Sequence, residues 1–175
     1  MSSFHIRKGA VGDLPTLKHM MLTALETDPD AFSVMLSEYS GHSDFWWETY
    51  LFPFLIEDKQ EVFFGFEGDE IASMGGLLFD DKIKKEHVAS MVWVYTKPEF
   101  RGKGYSQKII TEMITSIKAK PQIKKFALMV ASSQTTAIEL YKKFGFELNG
   151  VMKKELKVGD DFIDVYIMEK LLNTP

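Results

Sequence analysis

A single α/β (α+β) domain built on a mixed sheet is the fold class this sequence predicts, and three observations predict it. A strongly apolar run, Val88 to Thr96, passes through a glycine-rich turn into Ile109, Ile110, Met113, Ile114 and Ile117, which share one face of a helix. A second apolar run, Phe126 to Ala131, follows that helix, so one crossover joins two parallel strands. Hairpin signals bracket the crossover on both sides, and hairpins join antiparallel strands.

Phe4 to Arg7 alternates apolar and polar residues, as a first strand does. Asp13 is placed to cap a helix whose Leu14, Leu17, Met20, Met21, Ala24 and Leu25 form one apolar face, with Pro15 in its first turn. Asp28-Pro29-Asp30 breaks that helix. Ser43 is placed to cap a second helix ending before Pro53, within a stretch dense in aromatics: Phe32, Tyr39, Phe45, Trp46, Trp47, Tyr50, Phe52 and Phe54. Packing of the helices onto the sheet is the favoured reading of those rings, and a pocket wall the sharper one.

Val62 to Phe66 and Ile71 to Phe79 form a hairpin turned by Glu67-Gly68-Asp69-Glu70, with Gly75 and Gly76 signalling a bulge or a close backbone contact. Asp80 to Glu86 reads as a solvated charged loop. Lys118, Lys120 and Pro121 close the crossover helix. Phe126 to Ala131, apolar at both parities, predicts a strand buried on both faces. Ser132-Ser133-Gln134 starts a last helix carrying Ala137, Ile138, Leu140, Tyr141 and Phe144, which Gly145 stops. Leu148 to Val158 and Phe162 to Met168 close the chain as a hairpin turned at Gly159-Asp160-Asp161.

The chain is read as one domain over residues 1–175, because 175 residues hold one sizeable core and no composition break divides them. Apolar residues at 45% and charged ones at 26% argue against disorder. No apolar run approaches the roughly 20 residues of a membrane helix, so no membrane partner is expected. Met1 to His5 lacks a charged segment leading into an apolar one, which makes cytoplasmic residence the expectation. Without cysteine there is no disulfide, thiolate metal site or cysteine-linked acyl intermediate, and no metal is expected. The net charge of -4 disfavours nucleic acid as a partner and mildly attracts a cationic substrate.

The turn after the central strand, Lys97 to Ser106, carries the chemistry. A helix N-terminus offers unpaired N–H groups and partial positive charge, glycines permit close approach, and Arg101 and Lys103 add charge, so the expected ligand is a phosphate or pyrophosphate. A P-loop is absent, since Lys103 sits between the two glycines, and Pro121 to Lys125 offers no acid for a dinucleotide fingerprint. Taken alone, the turn also fits an ordinary connection with solvated basic residues.

Two motifs carry a resemblance. Arg101, Gly102, Lys103, Gly104, Tyr105 and Ser106 resemble the coenzyme A pyrophosphate loop, Arg-x-x-Gly-x-Gly/Ala, of the GNAT superfamily of N-acetyltransferases, with Ser106 in the last small position. Gln134 to Phe146 resembles the second hallmark, Asn-x-x-Ala-x-x-Leu-Tyr-x-x-x-Gly-Phe, with Gln134 replacing asparagine. The resemblance implies a mostly antiparallel seven-stranded sheet with four helices, splayed between the fourth and fifth strands. It implies acetyl-CoA in that wedge, backbone N–H groups near Val94, Tyr95 and Thr96 holding pantetheine and the acetyl carbonyl, and Gln134 at the pantetheine arm. It implies Tyr141 as the acid that protonates the leaving thiolate, against the plainer view that Tyr141 packs with Phe144. Relatives often use a glutamate base near the central strand, but Ala89 to Thr96 holds none. Glu86 and His87 precede it, Glu26, Glu38 and Glu57 lie in the helical region, and no base is assigned. The implied activity is direct acetyl transfer to a small-molecule or peptide amine in a ternary complex, with a homodimer in keeping with the family. The alternative is a non-catalytic acyl-CoA-binding or sensing domain, which binds CoA and acetylates nothing.

Overall fold

The computed structural model describes residues 3–56 and 60–172. In chain order its elements are β1 (Phe4–Lys8), α1 (Leu14–Thr27), α2 (Leu36–Ser40), α3 (Asp44–Leu51), β2 (Glu61–Glu67), β3 (Glu70–Phe79), β4 (Val88–Thr96), α4 (Tyr105–Lys118), β5 (Lys125–Ala131), α5 (Thr135–Lys143), β6 (Glu147–Val158) and β7 (Asp161–Leu171). The seven strands lie in the order β1-β2-β3-β4-β5-β7-β6. Every neighbouring pair is antiparallel except β4 and β5.

Strand alternation divides the core into two layers. Phe63, Leu77, Met91, Phe126 and Leu128 meet Ile109, Ile110 and Met113 of α4 and Ile138 and Tyr141 of α5 on one face. Phe64, Met74 and Tyr95 meet Leu17 and Met20 of α1 and Trp47 and Leu51 of α3 on the other. The aromatic stretch is chiefly packing: Trp47 is 1% exposed and contacts Tyr39 and Trp46 edge-on. Ser43 Oγ accepts a hydrogen bond from Trp46 N at 3.2 Å and so caps α3.

The sheet is irregular where β3 meets β4. Met74 pairs with Tyr95 and Gly76 with Val92, so Gly75 alone faces both Trp93 and Val94. The sequence placed the irregularity at the glycines; the extra residue belongs to β4, where Trp93 takes φ 57°. Gly75 supplies the close contact, since a Cβ there would lie 2.6 Å from Ile109 Cγ2 and 2.9 Å from Met113 Sδ of α4. On its other side β4 pairs with β5 only from Val88–Lys125 to Met91–Leu128, and beyond that point the strands part.

Three expectations change. Five α-helices occur among the described residues rather than four, because the turn α2 forms with Glu38 Oε2 accepting from Met35 N at 2.6 Å. Asp13 precedes α1 without capping it; its carboxylate turns back to Ala10 N at 2.8 Å and to Arg7 at 2.6 Å. β5 is not buried on both faces, since Met129 is 60% exposed. The core of the α1 to α3 layer is built on β2 to β4, and only the turn Pro29–Ala31 reaches β5.

Glu61 fastens β2 to its surroundings. Its carboxylate is 1% exposed and receives Lys8 at 3.0 Å, Lys120 at 3.2 Å and Ser116 at 2.5 Å. Burial pushes the carboxyl up, and the hydrogen bonds from Ser116, Lys8 and Lys120 outweigh it, leaving it below its ordinary value. A depressed folded value contributes stability above the unfolded value, lost as pH falls through the folded one. Glu61→Gln is expected to destabilise the protein by about 2 kcal/mol at pH 7. Urea titrations of both proteins at descending pH check this, and the gap narrows below about pH 4.

Candidate functional site

The parting of β4 from β5 leaves an edge in mid-sheet, with backbone polar groups that no neighbouring strand takes. A cleft of about 870 Å³ opens there. Val94, Tyr95 and Thr96 of β4 form its floor, Arg101 to Ser106 and Gln107 one wall, and Gln134 with Thr135, Thr136, Ala137, Glu139, Leu140 and Tyr141 of α5 the other, with Lys103 and Ile138 outside the lining. A third side comes from Asp28, Ala31 and Phe32, between α1 and α2. The sequence identified Asp28 only as part of a helix break, and Phe32 chiefly as a packing ring with a pocket wall as the sharper reading; the wall reading is the one that fits Phe32, while the contact of Asp28 with Arg101, 73 positions away, leaves no local signal.

Gly102 and Gly104 both take φ 77°, and a Cβ on either meets nothing within 4 Å. Glycine is therefore required for the left-handed turn, not for want of space around the loop. The turn delivers the chain into α4 with no side-chain cap, so first-turn N–H groups point out of the helix end without an intrahelical partner. Thr96 Oγ1 and Ser106 Oγ share a hydrogen bond at 2.8 Å, tying the floor to that helix end.

The loop cations are already engaged. Arg101 Nε donates to Thr96 O at 3.0 Å and Arg101 Nη2 to Asp28 Oδ2 at 2.5 Å. Lys103 Nζ donates to Glu67 Oε2 at 2.7 Å, which turns it from the cleft. Tyr105 OH also donates to Glu67 Oε2, at 2.6 Å, and that hydrogen bond pushes the phenol up to about 12. Its ring stacks on Phe4 with centroids 3.8 Å apart, so the Tyr105 side chain serves the loop's packing.

Tyr141 is 8% exposed, at the cleft wall, and burial pushes its phenol up to about 12. The proton stays on Tyr141 throughout the neutral range. Gln134 stands at the N-cap of α5, but its side chain caps nothing, leaving the amide available to the cleft. Tyr95 turns its hydroxyl to Thr27 Oγ1 at 2.8 Å, so only its backbone faces the parting edge.

No acid of the sequence reading stands at the cleft as a base. Glu86 and His87 are exposed at the start of β4, the end remote from Thr96. Glu38 holds the start of α2, Glu26 is exposed on α1, and Glu57 lies outside the described residues. Among the described residues no His, Asp and Glu side chains gather in a set able to hold a metal ion, and no helix is long and apolar enough to cross a membrane.

Comparisons with known proteins agree with this geometry. The family model described as Acetyltransferase (GNAT) family matches residues 22–146. The L-amino acid N-acetyltransferase AaaT of Escherichia coli strain K12 is 26% identical over 88 residues, which cover 50% of this chain and 54% of that protein. The chain thus spans little more than half of that curated relative's length. An acetyltransferase of the GNAT family from Streptococcus pneumoniae superposes with a TM-score of 0.84 at 22% identity, covering 98% of this chain and all of the other. A putative acetyltransferase from Salmonella typhimurium, solved with its cofactor acetyl-CoA, superposes with a TM-score of 0.77 at 16% identity, covering 99% and 96%. These two likenesses share the fold.

The carboxylate on Arg101 offsets the positive charge of the loop in any geometry. Asp28→Asn keeps the shape and removes that charge, so the variant is expected to bind inorganic pyrophosphate about threefold tighter in low-salt calorimetry, a difference that shrinks as salt is added.

Proposed function

Because the chain belongs to the GNAT acetyltransferase family, we propose that it transfers an acetyl group from acetyl-CoA to a primary amine by direct attack within a ternary complex. The observation that carries this reading is the cleft entering the sheet where β4 leaves β5, with an uncapped helix end beside it and Tyr141 on its wall. The pyrophosphate lies on the N–H groups of the Gly102 to Ser106 turn and on Arg101. The pantetheine amides pair with the free edge of β4 at Val94 to Thr96, as an added strand does, and Gln134 meets them from α5. Side-chain identity on the floor is then free to vary, because the backbone makes the contact.

The acetyl carbonyl lies at the β4 edge, where an N–H stabilises the oxyanion as it forms. The amine lone pair attacks the carbonyl carbon, the C–S bond breaks, and the sulfur departs with its bonding pair. Tyr141 gives its proton to that sulfur and is reprotonated from water. An alkylammonium ion and acetyl-CoA thus become an N-acetyl amine, the CoA thiol and one proton released to water. No side chain is assigned to take the amine's proton, which leaves through water at the open end of the cleft. The amino acid acceptor of the E. coli relative supports a small amine as the second substrate.

Tyr141→Phe is expected to lower kcat about a hundredfold, within the usual range for a lost general acid, while acetyl-CoA affinity changes little. Steady-state thiol release checks this, and an unaltered kcat removes Tyr141 from the mechanism. Because burial pushes the Tyr141 phenol up to about 12, its deprotonation is expected to produce no descending limb in kcat between pH 8 and about pH 10.

A further inference from the structure

The α5 wall of the cleft does not stop at Tyr141, because Lys143, in the last turn of that helix, lines it too. Thr136, Leu140 and Lys143 follow one another four and then three residues apart, so they form one stripe along α5. Gln107, on the first turn of α4, lines the cleft beside the glycine turn. From Gln134 to Lys143 the wall extends about 14 Å along the helix axis. The floor it accompanies, Val94 to Thr96, spans only about 7 Å of extended strand. The outer part of the wall therefore has no strand edge to serve.

Four charged side chains line the cleft, and three of them are engaged. Arg101 is paired with Asp28 at 2.5 Å, and Glu139 with Lys142 at 2.8 Å. Lys142 holds the Glu139 carboxyl below its ordinary value by hydrogen bond and charge, and Lys143 adds a weaker Coulombic effect without a contact. Lys143 is exposed, and among the described residues it has no ion pair or hydrogen bond through its ammonium group. It is the cation of the cleft that no carboxylate holds.

Coenzyme A is longer than the floor and the turn together. With pantetheine on the β4 edge and the pyrophosphate on the Gly102 to Ser106 turn, the 3′-phosphoadenosine end remains, and the outer α5 stripe is the lining left for it. A phosphate monoester carries between about 1.5 and 2 negative charges at pH 7. Lysine meets such a group as a mobile point charge. Leu140 and the methylenes of Lys143 offer the adenine an apolar surface.

We infer that Lys143 binds the 3′-phosphate of the donor and so separates CoA thioesters from donors that lack this group, dephospho-CoA and phosphopantetheine thioesters among them. This rests on the acetyltransferase reading and extends it to the outer end of the cleft. The contact is remote from the thioester and equal in the ground and transition states, so it lowers the donor KM and leaves kcat alone. Because Lys143 is exposed, added salt weakens the contact.

Low-salt calorimetry with CoA and with dephospho-CoA tests it, on the intact full chain, on Lys143→Gln and on Lys118→Gln. Lys118 sits in the last turn of α4, outside the lining, so its variant makes the same change in net charge at a comparable helix end. The intact protein and Lys118→Gln are expected to bind CoA about fivefold tighter than dephospho-CoA, as suits one exposed charge pair. Lys143→Gln is expected to bind the two within about twofold of each other. Thiol release from acetyl-CoA by Lys143→Gln is expected to show a donor KM raised about fivefold at unchanged kcat. Equal binding of the two ligands by the intact protein, a preference undiminished in Lys143→Gln, or a fall in kcat at unchanged KM overturns the inference and leaves the acetyltransferase reading standing. Failure of the intact protein to bind either ligand overturns both.

Discussion

The separation of β4 from β5 past Met91 and Leu128 is the constraint from which the rest of the site follows. Backbone groups inside a domain need partners, and a sheet that opens in its middle leaves a row of them without any. The opening is held from both sides. On β4, Trp93 adds a residue opposite Gly75, which redirects the strand, and α4 presses on the Gly75 backbone so closely that no side chain fits. On β5, the chain continues to Ala131 against β7, so the gap cannot close by letting β5 fray. The result is a fixed edge of backbone donors and acceptors in mid-sheet.

Charge is arranged around that edge in a way that leaves little of it bare. Arg101 and Lys103 lie 73 and 36 positions in sequence from the carboxylates of Asp28 and Glu67 that hold them. Both pairs are partly exposed, and such pairs contribute little to stability. Their consequence is for the loop: Arg101 is oriented by Asp28 and Thr96 O, and Asp28 connects the loop to the segment that flanks the cleft on its far side.

Much of this was legible from residue order alone. Periodicity located all seven strands, the capping serine of α3 and the glycine stop of α5, because those depend on neighbours in sequence. The two motifs pointed to the loop and the α5 wall, and their residues meet at one cleft. What escaped were the long-range arrangements. The bulge showed in the sequence as glycines on β3, but the extra residue is Trp93 on β4. Apolar residues at both parities of β5 suggested cover on two faces, yet Met129 lies where the helical layer has ended. Asp13 had the right residue type for a cap and found a stronger partner in Arg7, six positions away on β1.

The central claim is that the parted sheet and the Gly102 to Ser106 turn together hold the donor. Calorimetric titration with acetyl-CoA and with CoA, on the intact protein and on an Arg101→Ala, Lys103→Ala double variant, tests it most directly. Micromolar binding of both by the intact protein, weakened at least tenfold in the variant, is the predicted result. No binding by the intact protein, or equal binding by the two, would contradict it.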